Sequence, residues 1–234
     1  EFAQAARLIH AGVVDAALVG GIDTLCGSVL FGFNSLGLVS TQRCLPFDAR
    51  RDGLSLGEAG GYAILERVAD GEPGLRLCGY GESSDAHHMS TPHPEGLGAR
   101  LAMQDAIARA GITPADVGYL NLHGTATPAN DTVEAIAVAG LFGDAAAGDG
   151  LHASSTKGWT GHTLGAAGIV ESVFALIALE HGLLPGILGD GEPQPDPACG
   201  PQIQFANADR SIRYAMNNSF GFGGNNASLV FGKA

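Results

Sequence analysis

TKGWTGHTLGAAGIVE, residues 156–171, is the stretch on which the reading of this chain turns. It sets Lys157, and five residues later His162, on a bend of glycines and threonines that opens an apolar helix. The chain has only one other lysine, Lys233. A solvated surface lysine has no need of that setting, whereas a lysine serving a reactive site does. The apolar run LHASS (151–155) ahead of the bend and the helical pattern over 163–181 behind it make the segment strand, turn and helix.

Outward from there the same alternation continues. DAALVGG (15–21) is a short apolar run closed by glycines, read as a buried strand. YAILERV (62–68) alternates in the manner of a half-buried strand. LRLCGYGES (75–83), YLNLH (119–123) and stretches near 203–206, 213–217 and 227–232 complete the predicted strands. Helices are expected over part of 28–40, over 97–110 with Gly111 as its stop, and over 132–141. EFAQAARLIHAG carries Phe2, Ala5, Ala6 and Ile9 at helical spacing, yet it has no N-cap, so it reads as the back end of a longer helix and the chain as a piece of a larger protein. ADGEPG (69–74) marks a boundary, residues 182–202 read as loop, and no internal repeat is visible. Strands alternating with helices predict a layered α/β architecture with helices on both sheet faces.

Composition narrows the function. The chain is 45% hydrophobic and 15% charged, and its 36 glycines fall at turns and motifs rather than in a repeat. No apolar run is expected to reach the length of a membrane span. A net charge of −12 argues against nucleic acid or an anionic membrane as partner. An acidic partner would need a local basic patch, for which Arg43, Arg50 and Arg51 are candidates beside their plainer reading as a solvated loop. Cys26, Cys44, Cys78 and Cys199 lack CxxC spacing, which fits free thiols in a reducing cytoplasm.

Reactive side chains collect just past predicted strands, where open α/β sheets build their sites. NLHGTATPAND offers His123, Thr125 and Thr127; TKGWTGH offers Lys157 and His162; NNSFGFGGNN sets Gly221, Gly223 and Gly224 around Phe222. Singly, each has an ordinary structural explanation: a satisfied histidine, a solvated lysine, a tight hairpin. Together they point to one site. His87, His88 and His93 lack a carboxylate pair at ligand spacing, so no metal site is expected there. No GxxxxGK[ST] loop is present, so the glycines are not read as a phosphate cradle. Glu58, Glu134 and Glu171 would need burial to act as acid–base groups.

On PFDARRDG, GEAGG, GYGESSDAHHMSTPHPEG, HGTATPAND, TKGWTGHTLGAAG and NSFGFGGNNAS, the chain resembles the β-ketoacyl-[acyl-carrier-protein] synthases, the condensing enzymes of fatty acid and polyketide assembly. It is similar to the elongating type with a Cys–His–His triad. The resemblance implies a thiolase-like fold of two similar halves, with residues 1–72 the tail of the N-terminal half and 73–234 the C-terminal half. It also implies the reaction: an acyl group passes from a carrier protein's phosphopantetheine thiol to an enzyme cysteine, malonyl-carrier protein loses CO₂, and the carbanion attacks the acyl thioester. No resident cofactor or metal is implied.

Carried onto this sequence, the resemblance gives His123 and His162 the role of hydrogen-bond donors to the thioester oxygen. Lys157 and Glu171 form a supporting pair. Thr125 and Thr127 meet the pantetheine arm, the Phe222 N–H serves the oxyanion hole while its ring gates the acyl pocket, and Phe220 packs beside that pocket. The implied partners are an acyl carrier protein and a second subunit, in a homodimer or in a heterodimer with a chain-length factor; nucleic acid and membrane are not expected. The nucleophilic cysteine is expected about half a dozen positions before Glu1, and none of the four cysteines stands at its position. Asn225 replaces a usual threonine, and Ala59 a usual glycine. A non-catalytic chain-length-factor-type subunit is the rival reading; retention of His123, Lys157 and His162 together argues against it. A thiolase would need a second cysteine near SFGFGGNNASLVF, where there is none.

Overall fold

The structure, a computed structural model, describes residues 1–69, 71–143, 150–189 and 191–233. Its centre is a five-stranded sheet made by β3 (Leu75–Ser84), β4 (Val117–Asn121), β5 (His152–Ser154), β8 (Tyr214–Gly221) and β9 (Asn225–Lys233), in the order β3-β9-β8-β4-β5. β4 runs parallel to both β5 and β8, and β9 runs antiparallel to β8 and β3. A second sheet pairs β1 (Ala16–Asp23) with β2 (Ala59–Glu66), antiparallel. A short pair, β6 (Leu183–Leu184) with β7 (Ala208–Asp209), lies apart from both.

Alternation along the strands sorts the core into two clusters. Leu120, Met216 and Val230 face α3 (Leu97–Ala110) and α4 (Pro128–Phe142), meeting Met103, Ile107 and Val138. Their neighbours Tyr119, Ala215 and Phe231 face the other way, onto α1 (Phe2–His10) and α6 (Ala167–His181). α1 and α6 pack against strands of both sheets and so form a shared middle layer. Beyond it, β1 and β2 turn Val19, Ala63 and Leu65 inward to that cluster, while Leu18, Ile22, Tyr62 and Ile64 on their far face are exposed. A helix followed by an antiparallel pair thus occurs twice, as α1-β1-β2 and as α6-β8-β9, although the sequence shows no repeat.

Several expectations need correction. Residues 203–206 are not a strand: Ile203 makes an isolated bridge to Ala153, and the chain is held there by single bonds such as Gln204 N to the Ala153 carbonyl (2.8 Å). α4 starts four residues earlier than 132, because Pro128 takes a first-turn position where its missing N–H is no loss. The helix expected from 163 opens as a 3₁₀ turn, Leu164–Ala166, before α6 proper. Residues 164–181 are, by length and a mean hydropathy of 1.5, apolar enough to span a membrane, against expectation. The physical reason is their place between two sheets, with Glu171 ion-paired in the middle of the helix. Of the candidate basic patch, Arg51 is not open to a partner. Its side chain is buried, with Nη1 2.6 Å from Asp196 Oδ2, whereas Arg50 is exposed and pairs with Asp48 at 2.8 Å.

Glycine lets α3 sit close on β3. A Cβ at Gly81 would stand 2.0 Å from the Ala102 carbonyl oxygen, and one at Gly79 would stand 2.1 Å from that of Ala106. Backbone cannot move aside as a side chain can, so Gly81→Ala is expected to lower unfolding free energy by about 1–3 kcal/mol. Denaturant titration of the two proteins checks it; equal midpoints would mean that α3 shifts without penalty.

Candidate active site

β4 ends at Asn121, and the next residues leave the sheet toward α4. Glu134, fully buried on α4, grips that exit: its two carboxylate oxygens accept the His123 and Gly124 N–H groups, each at 2.8 Å. Only glycine fits at 124, where a Cβ would lie 2.5 Å from Ser155 Cβ and 2.6 Å from the Phe47 ring. His123 is therefore fixed by its backbone before its ring is considered.

The opening motif supplies the facing groups. Lys157 stands on the four-residue helix α5 (Lys157–Thr160) directly after β5, and is 1% exposed. Its ammonium donates to the His123 carbonyl at 2.6 Å and to Glu171 Oε1 on α6, and lies 3.4 Å from His123 Nδ1. His162 sits in extended backbone pinned by the 55–57 segment: its N–H donates to the Ser55 carbonyl (2.7 Å) and its carbonyl accepts from Gly57 N (3.0 Å). The two imidazoles meet edge to face, centroids 5.3 Å apart at 83°.

Burial sets the charge states. His123 titrates well below the ordinary imidazole range because it is buried, with Lys157 and His162 adding to the effect. Burial, then Lys157, brings His162 down to about 3. Glu171 is raised by burial, with Lys157 opposing. Both rings are thus neutral at pH 7. His162 Nδ1 accepts the Leu164 N–H at 3.4 Å, and His123 Nδ1 faces the Lys157 ammonium. Each ring is left with its Nε2 as the protonated nitrogen.

Both histidines line a cavity of about 700 Å³, together with Thr125, Thr127, Phe220 and Phe222. The threonine hydroxyls are 2.8 Å apart, and the Phe220 ring lies 5.7 Å from that of His123. Phe222, half exposed at the hairpin between β8 and β9, stacks on Phe33 at 6.0 Å and 23°. Phe33, on α2 (Gly27–Ser35), was not singled out from sequence, since α2 shows no one-sided apolar stripe. Asn225 donates to the Phe222 carbonyl at 3.0 Å. Glu134 was named only as one of three glutamates; its position 11 residues beyond His123 gave no signal that it holds that residue's amide. Glu58 is exposed and accepts a loop amide, that of Leu25. His87 and His93 meet at 5.2 Å, but among the described residues no group of three His, Cys, Asp or Glu side chains gathers.

The profile of the N-terminal domain of beta-ketoacyl synthases matches residues 2–71, and that of their C-terminal domain residues 76–189. The chain belongs to the beta-ketoacyl synthase family. This synthase-family chain is 39% identical over 243 residues to the mitochondrial 3-oxoacyl-[acyl-carrier-protein] synthase of Arabidopsis thaliana, covering 97% of this chain and 52% of that protein. To 3-oxoacyl-[acyl-carrier-protein] synthase 2 of Staphylococcus aureus it is 38% identical, covering 98% and 58%. It therefore spans little more than half the length of the curated relatives it matches. Its fold is thiolase-like, as in solved ketosynthases. One is the structure of the ketosynthase ApeO in complex with its chain length factor ApeC from Xenorhabdus doucetiae, similar at TM-score 0.90 and 43% identity over all of this chain and 57% of that one. A beta-ketoacyl synthase of Burkholderia phymatum superposes at TM-score 0.90 and 31% identity, over all of this chain and 58% of that one.

Removing one member of the Lys157–Glu171 pair strands the other charge in the core. Glu171→Leu is expected to lower stability by about 3–5 kcal/mol, and the double variant Lys157→Met/Glu171→Leu to recover most of it. Urea unfolding of both variants checks this; equal loss in both would mean packing, not charge, is at stake.

Proposed function

We propose that this chain is the larger part of a condensing enzyme that joins an acyl group to malonyl-acyl carrier protein by decarboxylative Claisen condensation. The observation that carries the reading is the meeting of two neutral imidazoles over a cavity, backed by a buried Lys157–Glu171 pair. Loss of CO₂ from a malonyl thioester leaves an electron pair that delocalises onto the thioester oxygen. Two Nε2–H groups held toward the cavity stabilise that oxygen without themselves changing charge. The carbanion then attacks the acyl carbonyl carbon, and the enzyme cysteine, on the part of the protein before Glu1, departs as thiolate.

In this scheme His123 and His162 are the donors, and Lys157 and Glu171 hold them. Thr125 and Thr127 meet the pantetheine arm. The Phe222 N–H receives the acyl oxyanion, its ring closes the acyl pocket against Phe33, and Phe220 packs behind His123. Residues 1–72 end an N-terminal half and 73–234 form the C-terminal one. The substrates arrive on the phosphopantetheine of an acyl carrier protein, and no free cofactor takes part. The enzyme works in the cytoplasm as a dimer with a like subunit or a chain-length factor. The catalytic reading is preferred to a silent partner subunit because the donor pair and its lysine are all present and assembled.

In the full-length protein, His123→Ala and His162→Ala are each expected to reduce malonyl decarboxylation at least about 100-fold while leaving the melting temperature within a few degrees. Decarboxylation at wild-type rate in both would overturn the proposal. Because both imidazoles are depressed, with His162 at about 3, the donor forms persist on acidification. The decarboxylation rate is expected to show no imidazole inflection near pH ~6.5; a rate falling through that value would mean at least one ring is solvated in solution.

A further inference from the structure

The two imidazoles are held from different parts of the chain. Glu134 and Lys157, which steady His123, both follow the 69–74 boundary. His162 depends on residues that precede it. Its backbone is pinned by Ser55 and Gly57. Its ring is held by a turn, since Nδ1 accepts the Leu164 N–H at 3.4 Å. Leu164 makes that bond from left-handed backbone, φ 47°, in which a leucine persists only when its surroundings hold it. The holder stands at the end of β1. Asp23 Oδ2 accepts the N–H of the next residue, Gly165, at 3.0 Å, and Oδ1 accepts the Thr24 N–H at 3.0 Å, which orients the carboxylate. β1 also comes close to the turn itself: a Cβ at Gly21 would stand 2.2 Å from the Gly165 carbonyl oxygen.

Resting on the condensing function proposed above, we infer that Asp23 is a positioning residue for His162: it clamps the left-handed Leu164 turn, whose amide keeps the imidazole in the form that carries its proton on Nε2. A neutral imidazole has one N–H, and an amide donating to Nδ1 leaves Nε2 as the place for the proton. Released from Asp23, the turn relaxes toward negative φ and the Leu164 N–H swings off Nδ1. The ring then carries its proton on either nitrogen, and only one of the two forms donates from Nε2. Asp23 is not among the residues lining the cavity, whereas Leu164 is, so the effect passes through the turn. The clamp also crosses between sheets. A carboxylate of the two-stranded sheet sets a ring that works beside the five-stranded one.

The test is steady-state malonyl decarboxylation by the full-length enzyme with malonyl-pantetheine as probe, read beside ¹⁵N NMR of its histidine rings. Asp23→Ala is expected to lower kcat about tenfold with KM within about twofold of wild type. The two ring-nitrogen signals of His162, assigned by their loss in His162→Ala, are expected to move toward each other as the tautomers mix. Asp23→Asn keeps an oxygen for the Gly165 amide, and the N–H of Thr24, an exposed residue, can turn to water. That variant is expected to hold kcat within about threefold of wild type and to keep the signals apart. A wild-type kcat in Asp23→Ala overturns the inference. So does a lowered kcat with the signals unmoved, or an asparagine variant as slow as the alanine one. Failure of Asp23→Ala to fold also overturns it, because Asp23 would then serve the fold rather than the ring. Failure of the condensing reading is seen separately, as decarboxylation at wild-type rate in both His123→Ala and His162→Ala.

Discussion

A positive charge placed between two β-sheets has to be answered where it stands, and the Lys157–Glu171 pair is that answer. Lys157 comes from the turn after β5 and Glu171 from one turn into α6, so the pair ties a loop of the five-stranded sheet to the helix that separates the two sheets. Both side chains are buried, and their desolvation is offset by each other and, for Lys157, by the His123 carbonyl and ring Nδ1. Much of the site's arrangement descends from this. The ammonium fixes the His123 ring nitrogen that faces it, adds to the depression of both imidazoles, and keeps α6 from sliding along the sheet.

The second constraint is backbone supply. β4 must leave the sheet, turn and enter α4 within six residues, and its buried amides need acceptors throughout. α4 provides them from its own first turns through Asp131 and Glu134, at the cost of burying two carboxylates whose ionisation is pushed up to about 6 and about 7. Desolvation dominates both shifts, and the donated backbone hydrogen bonds work against it. The carboxylates and the lysine do comparable work on the backbone from His123 to Ala126: polar groups taken out of water to hold it still.

The strands and helices that carry the site were legible because their signals are local. Gly111 stops α3 where expected, YLNLH leads into the site, and β8 and β9 flank SFGFGG as the alternation implied. The candidate residues His123, Lys157, His162 and Glu171 were also nameable, since unusual polar residues in an apolar setting stand out. What stayed hidden was relational. Nothing in the spacing of ordinary residues, such as Phe33 on a helix without a one-sided apolar stripe or Asp131 inside α4, says which distant amide or ring it will meet. The 203–206 segment misled because apolar alternation without a partner edge gives a bridge rather than a strand. The middle helix misled too, since burial between two sheets demands apolar residues all round, as a bilayer does.

Burying Lys157 leaves the chain's surface almost without primary amines. Among the described residues Lys233 is the one exposed lysine, at the end of β9 on the far side of the sheet from the hairpin it shares with Phe222. Succinimide dyes, amine cross-linkers and aldehyde fixation directed at this region would converge on that strand end, and a protease specific for lysine would find a single accessible point.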